Sequence, residues 1–157
     1  MTRRNVEISW GLVLVISALL LAGCKPGVKT PKDFAQLKKP GGVFKYRAIS
    51  SDEVTIAFKK RKNEPKGDIS FWAKVMKDKV PLVYGYVFVK DQEVRTGNGV
   101  KGKILEFQVD QQEGKYVYMV GVFIKFKKLW IFEAGGKQES FDAHRKDIIA
   151  AVKSMRL

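Results

Sequence analysis

The sequence predicts an α+β domain: a three-layer α/β/α sandwich around a central, mainly antiparallel sheet of about six strands. Three observations lead there. Between residues 43 and 133, apolar side chains recur with a period of two in segments joined by short links, so consecutive strands run antiparallel. One segment, 116–126, is apolar on both faces. Tyr116, Tyr118, Val120, Val122, Ile124 and Phe126 point one way and Val117, Met119, Gly121 and Phe123 the other, which suits a central strand covered on both sides. Two segments of helical period, one mid-chain and one at the end, supply the covers.

The chain opens with the basic group Arg3 and Arg4, followed at 8–22 by an apolar run broken only by Ser9, Gly11 and Ser17. This is the layout of a secretory signal peptide. A membrane span needs about 20 apolar residues with flanking anchors, so a spanning helix is the weaker reading. Cys24 is the only cysteine and closes the run. It has no disulfide partner and no set of zinc ligands, and a catalytic thiol would not sit at a leader's cleavage point. Leu21, Ala22, Gly23 and Cys24 resemble the bacterial lipobox. That resemblance implies removal of residues 1–23, a diacylglycerol on the Cys24 thiol and an acylated new amine. Each buried acyl methylene contributes roughly 0.8 kcal/mol, so several chains hold a small domain firmly on a bilayer. Lys25 stands where an aspartate retains enterobacterial lipoproteins in the inner membrane, which favours the outer membrane, facing the periplasm.

After Cys24, residues 24–42 mix lysine, proline and glycine and read as a tether, with a possible short helix over 31–38 starting at Thr30. The globular domain is expected from 43 to 157. Segments 43–50 and 54–60 form a hairpin around Ser51, Asp52 and Glu53. Asp68 can cap a helix in which Ile69, Trp72, Ala73, Met76 and Val80 recur at helical spacing, with Phe71 on its other side and Pro81 as the stop. Strands follow at 82–91, 100–111, 116–126 and 129–133, separated by glycine-bearing turns. Segments 83–89 and 129–132 share the two-faced apolar character, whereas 104–110 alternates more cleanly, as a strand nearer an edge would. A closing helix over 139–155 carries the stripe Phe141, Ile148, Ile149, Val152 and Met155.

A hairpin, a helix bearing Phe71 and Trp72, an antiparallel meander and a C-terminal helix resemble the PsbP-like fold, which also recurs in bacterial lipoproteins. The features that carry the likeness are Tyr116 and Tyr118 on one strand, an acidic turn at Glu133, Ala134, Gly135 and Gly136, and the helix from Phe141 to Met155. The resemblance spans roughly 43–155 and implies a binding or assembly module more than an enzyme. It carries over no functional residue.

The residues themselves offer little chemistry. His144 is the only histidine and sits at the margin of the closing helix's stripe, as a boundary histidine does. Asp142 and Ser140 are too close to it in a helix to aim at one substrate atom and suit the helix start. Arg145 falls inside the stripe, where it can snorkel at the sheet's rim or, as the alternative, meet a buried carboxylate such as Glu106 or Glu133. The glycine-rich segment 96–102 links two strands and reads as a hairpin turn. Ala134 to Lys137 precedes a helix and could hold an anion on its amides or simply reverse the chain. Nothing has metal-ligand spacing, and no cofactor is expected.

Charge is the strongest compositional signal: 30 basic against 16 acidic residues give a formal charge of +14, which loss of the leader lowers by only one. Lys59, Lys60, Arg61 and Lys62 with Lys66, and Lys125, Lys127 and Lys128, form two dense groups at strand ends. Ordinary solvated turns account for them. If the turns share an edge, they would instead make one surface for anionic lipid or an acidic envelope protein. Nucleic acid is not an expected partner of an exported, anchored domain. The reading is a non-enzymatic, lipid-anchored periplasmic module that binds or assembles an envelope component. The alternatives are an envelope hydrolase with an unrecognised site and a carrier of an apolar ligand.

Overall fold

The computed structural model describes residues 27–157; the leader and Cys24 lie outside the described residues. Seven strands and two helices form the expected sandwich, in the order β1 (Phe34–Gln36), β2 (Phe44–Ser50), β3 (Thr55–Lys62), α1 (Ile69–Tyr84), β4 (Val87–Arg95), β5 (Lys101–Gln111), β6 (Gly114–Lys125), β7 (Lys128–Lys137) and α2 (Gln138–Ser154). The sheet runs β1-β2-β3-β7-β6-β5-β4, and every pairing is antiparallel. Strand β6 is central: Val117, Met119 and Phe123 pack on the α2 side, and Tyr118, Val120 and Val122 on the α1 side.

The extra strand is β1. Residues 31–38 do not form the expected helix, since Phe34–Gln36 pairs with Ala48, Ile49 and Ser50 at the edge of the sheet. Phe34 is 7% exposed and packs in the α2-side core, and its ring meets the His144 ring edge-on at 5.1 Å. Burying that one large side chain outweighs the weak helix propensity of so short a segment. The sheet therefore starts within the segment expected as a tether. Nearer the N-terminus, Gly27 bridges Arg156, and the Lys29 amide donates to the Ser154 hydroxyl at 2.9 Å.

Asp68 caps α1 as expected, accepting from the Phe71 amide at 2.7 Å, and Ala73 and Val80 are buried beneath it. Pro81 does not stop the helix. It lies in the last turns, which continue to Tyr84 and close on Gly85 at φ +72, with the Gly85 amide donating to the Pro81 carbonyl. This shift removes 82–84 from the expected strand. Strand β4 is an edge strand by the order of the sheet, and Val87 and Val89 are exposed where the sequence suggested two covered faces. Leu82, Val83 and Tyr84 are exposed beside them.

The expected turn at Glu133, Ala134, Gly135 and Gly136 is continuous strand. Gly135 pairs with Tyr118 and Gly136 with Val117. A Cβ on Gly136 would lie 3.0 Å from the Val54 side chain and one on Gly135 3.3 Å from the Val117 carbonyl, so close backbone approach explains these glycines better than chain reversal. With the strand running on into α2, neither the anion loop nor the chain reversal considered for 134–137 forms. The 96–102 segment is the hairpin turn expected of it, closed by the Thr96 amide on the Val100 carbonyl at 3.0 Å.

Candidate functional site

The sheet's antiparallel register gathers most of the predicted cations at one end. Lys62 at the end of β3 is opposite Lys128 at the start of β7, and Lys128 is opposite Lys125 at the end of β6. The 63–68 loop returns from β3 to the start of α1 over the same end. Asn63 shapes this loop: its side-chain amide donates to the Gly67 carbonyl at 2.8 Å, and its oxygen accepts from the Trp72 indole at 2.6 Å. Between loop and hairpin lies an open cleft of about 1080 Å³, lined by Lys62, Lys66, Lys127 and Lys128 together with Ile69 and Ile124. Glu64 and Asp68 also reach it, but the Asp68 carboxylate is committed to the helix cap.

The remaining predicted cations divide. Lys125 points its ammonium at the Leu157 carbonyl oxygen, tying the C-terminus to this end. Arg61 is exposed at the neighbouring strand position, and Lys60 lies over the Trp130 ring at 4.8 Å. Lys59 is drawn away. It pairs with Glu133 at 2.5 Å and stacks over Phe44, on the part of the α1-side face nearest β2 and β3. There the Tyr118 hydroxyl donates to the other Glu133 oxygen at 2.9 Å. Burial first, and the Glu133 charge second, push the Tyr118 phenol far above its usual range.

Sequence reasoning missed the apex of this end. Phe126, assigned to the strand by its alternation, is instead the first residue of the two-residue β6–β7 turn and is 84% exposed. Phe126 and Lys127 take φ values of 50° and 58°. The signal that could have found it is local: a lone aromatic between Lys125 and Lys127, where no second apolar residue continues the pattern.

The histidine's surroundings differ from a hydrolytic site. The His144 Nε2 lies 3.0 Å from Asp52 Oδ1, and the Ser50 hydroxyl donates to that same oxygen at 2.5 Å. The carboxylate thus sits between hydroxyl and imidazole, whereas a nucleophile needs the imidazole directly against it. The contacts tie α2 to the β2–β3 turn. Asp142, expected at the helix start, instead accepts from Arg145 at 2.9 and 2.7 Å. Arg145 does not merely snorkel: it grips buried Glu106 through two hydrogen bonds of 2.6 and 3.0 Å. Among the described residues, no group of three or more His, Cys, Asp or Glu could hold a metal ion. The aromatic residues considered as a ligand cavity stack on one another, as Phe58 does on Trp130 at 5.2 Å.

The Ser50 hydrogen bond, and after it His144, hold the Asp52 carboxyl below its ordinary range. A carboxyl depressed in the folded state adds stability above its unfolded pKa and loses it as pH falls through the folded one. Asp52→Asn is therefore expected to flatten the acid side of the domain's thermal stability profile, below the ordinary aspartate range, while changing it little in slope near neutrality. An acid limb identical to that of the parent would show that Asp52 plays no part in it.

No protein-family model and no curated protein sequence matches the chain. Solved structures match in fold. LpqN, involved in cell envelope biogenesis of Mycobacterium tuberculosis, superposes with a TM-score of 0.66 at 9% identity, covering 84% of this chain and 83% of that one. Cyanobacterial PsbP of Synechocystis gives 0.56 at 11% identity, over 83% and 85%. The Ran-binding protein Mog1p of Saccharomyces cerevisiae gives 0.55 at 12% identity, over 85% and 83%. The domain shares its architecture with these proteins. At such identities the likeness extends to architecture alone. Among the described residues, no helix is long and apolar enough to cross a membrane.

Proposed function

We propose that the protein is a non-enzymatic module of the bacterial cell envelope, lipid-anchored through Cys24 to the periplasmic side of the outer membrane, that binds or assembles another envelope component. The observation that carries this reading is the placement of the chain's entry. Gly27, three residues beyond Cys24, is already bridged to Arg156, so acyl chains on Cys24 would hold a folded domain directly at the bilayer. Anchoring of this kind raises the local concentration of a module's partners, so a weak interface suffices. The shared fold with LpqN, itself involved in envelope biogenesis, supports the same class of role. The side-chain clusters favour binding over catalysis, because the one serine–carboxylate–histidine group has the acid in the middle.

The test is Cys24→Ser in the full chain, expressed in a bacterium that processes lipoproteins. The expected result is complete loss of radioactive palmitate from the protein and accumulation of a precursor that keeps its leader. A variant still processed and still labelled would remove the anchor.

A further inference from the structure

Resting on the reading of Cys24 as the lipid carrier, we propose that the basic end of the sheet is a docking surface for an anionic bilayer. Phe126 inserts among the headgroups, with the Lys125 ammonium over its ring and Lys62, Lys66, Lys101, Lys127 and Lys128 at the same end of the sheet. Reach is the first argument. Three residues span at most roughly 10 Å, so Gly27 cannot stand farther than that from an acylated Cys24. Gly27 bridges Arg156, the Arg156 neighbour Leu157 accepts from the Lys125 ammonium and from the Asn98 side chain, and Asn98 lies in the β4–β5 turn. The entry point is thus at the same end of the sheet as Phe126, and the short link brings that end to the membrane.

Charge is the second argument. The end that meets the bilayer carries the lysines named above against Glu64 and Asp68, whereas Asp52, Glu53, Asp110, Glu113 and Glu139 lie at the opposite strand ends, in or beside the turns there, against Lys115 and Lys137. Strand β6 has 12 residues, so the two ends are roughly 40 Å apart at about 3.3 Å per residue. Surface potential decays over about 8 Å at physiological salt, so the acidic end feels none of the repulsion. The sign of the charge at each end fits one orientation and opposes the reverse.

The third argument is Phe126 itself. Two-residue hairpin turns with positive φ at both central positions favour Asn-Gly, because a Cβ there meets the backbone at an energetic cost. A phenylalanine followed by a lysine accepts that cost while leaving the ring in solvent, with the Lys125 ammonium 5.0 Å from its centroid. An exposed aromatic ring at a lysine-bearing end of the sheet suits the headgroup layer, where the ring meets acyl carbon and the ammonium groups meet phosphate. An acidic protein would satisfy the lysines but gives no reason for the exposed ring to stand at the end where the anchor enters.

The experiment uses the full, lipid-modified chain reconstituted in phosphatidylcholine vesicles with or without phosphatidylglycerol. An environment-sensitive thiol dye is placed through Phe126→Cys or, at the far end, Tyr84→Cys. With Cys24 acylated the parent chain takes up no dye, which tests the anchor separately from the docking. The expected result is a dye at 126 shielded from acrylamide on the anionic vesicles and open on the neutral ones, with the dye at 84 open on both. Adding Lys62→Gln, Lys127→Gln and Lys128→Gln lowers the docked-to-free ratio about a hundredfold, at about fivefold for each surface lysine. The proposal is overturned if an acylated chain leaves 126 open on anionic vesicles, if 84 is the shielded position, or if shielding of 126 requires an added envelope protein.

Discussion

Arg145→Met is expected to destabilise the domain by about 3 kcal/mol, because it strands a buried carboxylate. Glu106 is 4% exposed and holds the Arg145 guanidinium in a two-pronged hydrogen bond. Among the described residues, the only other cation on it is Lys90, 3.8 Å away with a side chain 60% exposed, which cannot replace a bidentate partner. The reciprocal change is milder. Glu106→Leu leaves Arg145 paired with Asp142 and with 30% of its side chain in water, so the expected loss is about 1 kcal/mol, near that of a net hydrogen bond. Urea unfolding at neutral pH separates the two, with the midpoint moving and the slope unchanged. Equal losses from the two variants would place the value of the pair in packing and not in charge satisfaction.

That ion pair also shows where sequence reading stops. The angular position of Arg145 limited its partners to water or a carboxylate facing the closing helix, and Glu106 was among the candidates. Choosing between them required knowing that β5 brings Glu106 to the α2 side, which is a property of the sheet's order and not of any local pattern. Strand β6 was legible because covered faces write themselves into composition on both sides. Strand β1 was not, since three residues carry no periodicity, and one phenylalanine in a lysine-rich segment gives no hint of burial. Pro81 misled for a related reason. Pro81 forfeits only its own bond to the preceding turn, the residues after it keep theirs, and the Gly85 cap then decides the end. The basic groups were legible as groups, but their union needed the Lys62, Lys128 and Lys125 register. Phe126 was concealed by its agreement with the strand alternation before it.

A crowded point of the sheet lies just beneath the proposed docking end. Gly102 is paired with Phe123 across β5 and β6, and a Cβ on Gly102 would lie 2.2 Å from the Phe123 ring and 2.8 Å from the Val122 carbonyl. Phe123 is fully buried among Met119, Ile104 and their neighbours, so its ring has no free space to turn into. Gly102→Ala is therefore expected to cost about 3 kcal/mol, as overpacking that the core cannot relieve. Phe123→Leu alone costs about 1–2 kcal/mol through lost ring contacts. Combined, the two should cost less than their sum by about 1 kcal/mol, because leucine withdraws the atoms that the new methyl meets, though the backbone carbonyl remains. Thermal or urea unfolding of the four proteins measures this coupling. Strict additivity would mean that the backbone contact, and not the ring, excludes a side chain at 102. Phe123 lies two residues before Lys125, so a sheet distorted at Gly102 should also misplace the 126–127 turn. The single alanine variant would then lose membrane shielding at 126 even under conditions where it stays folded, and the double variant should regain it.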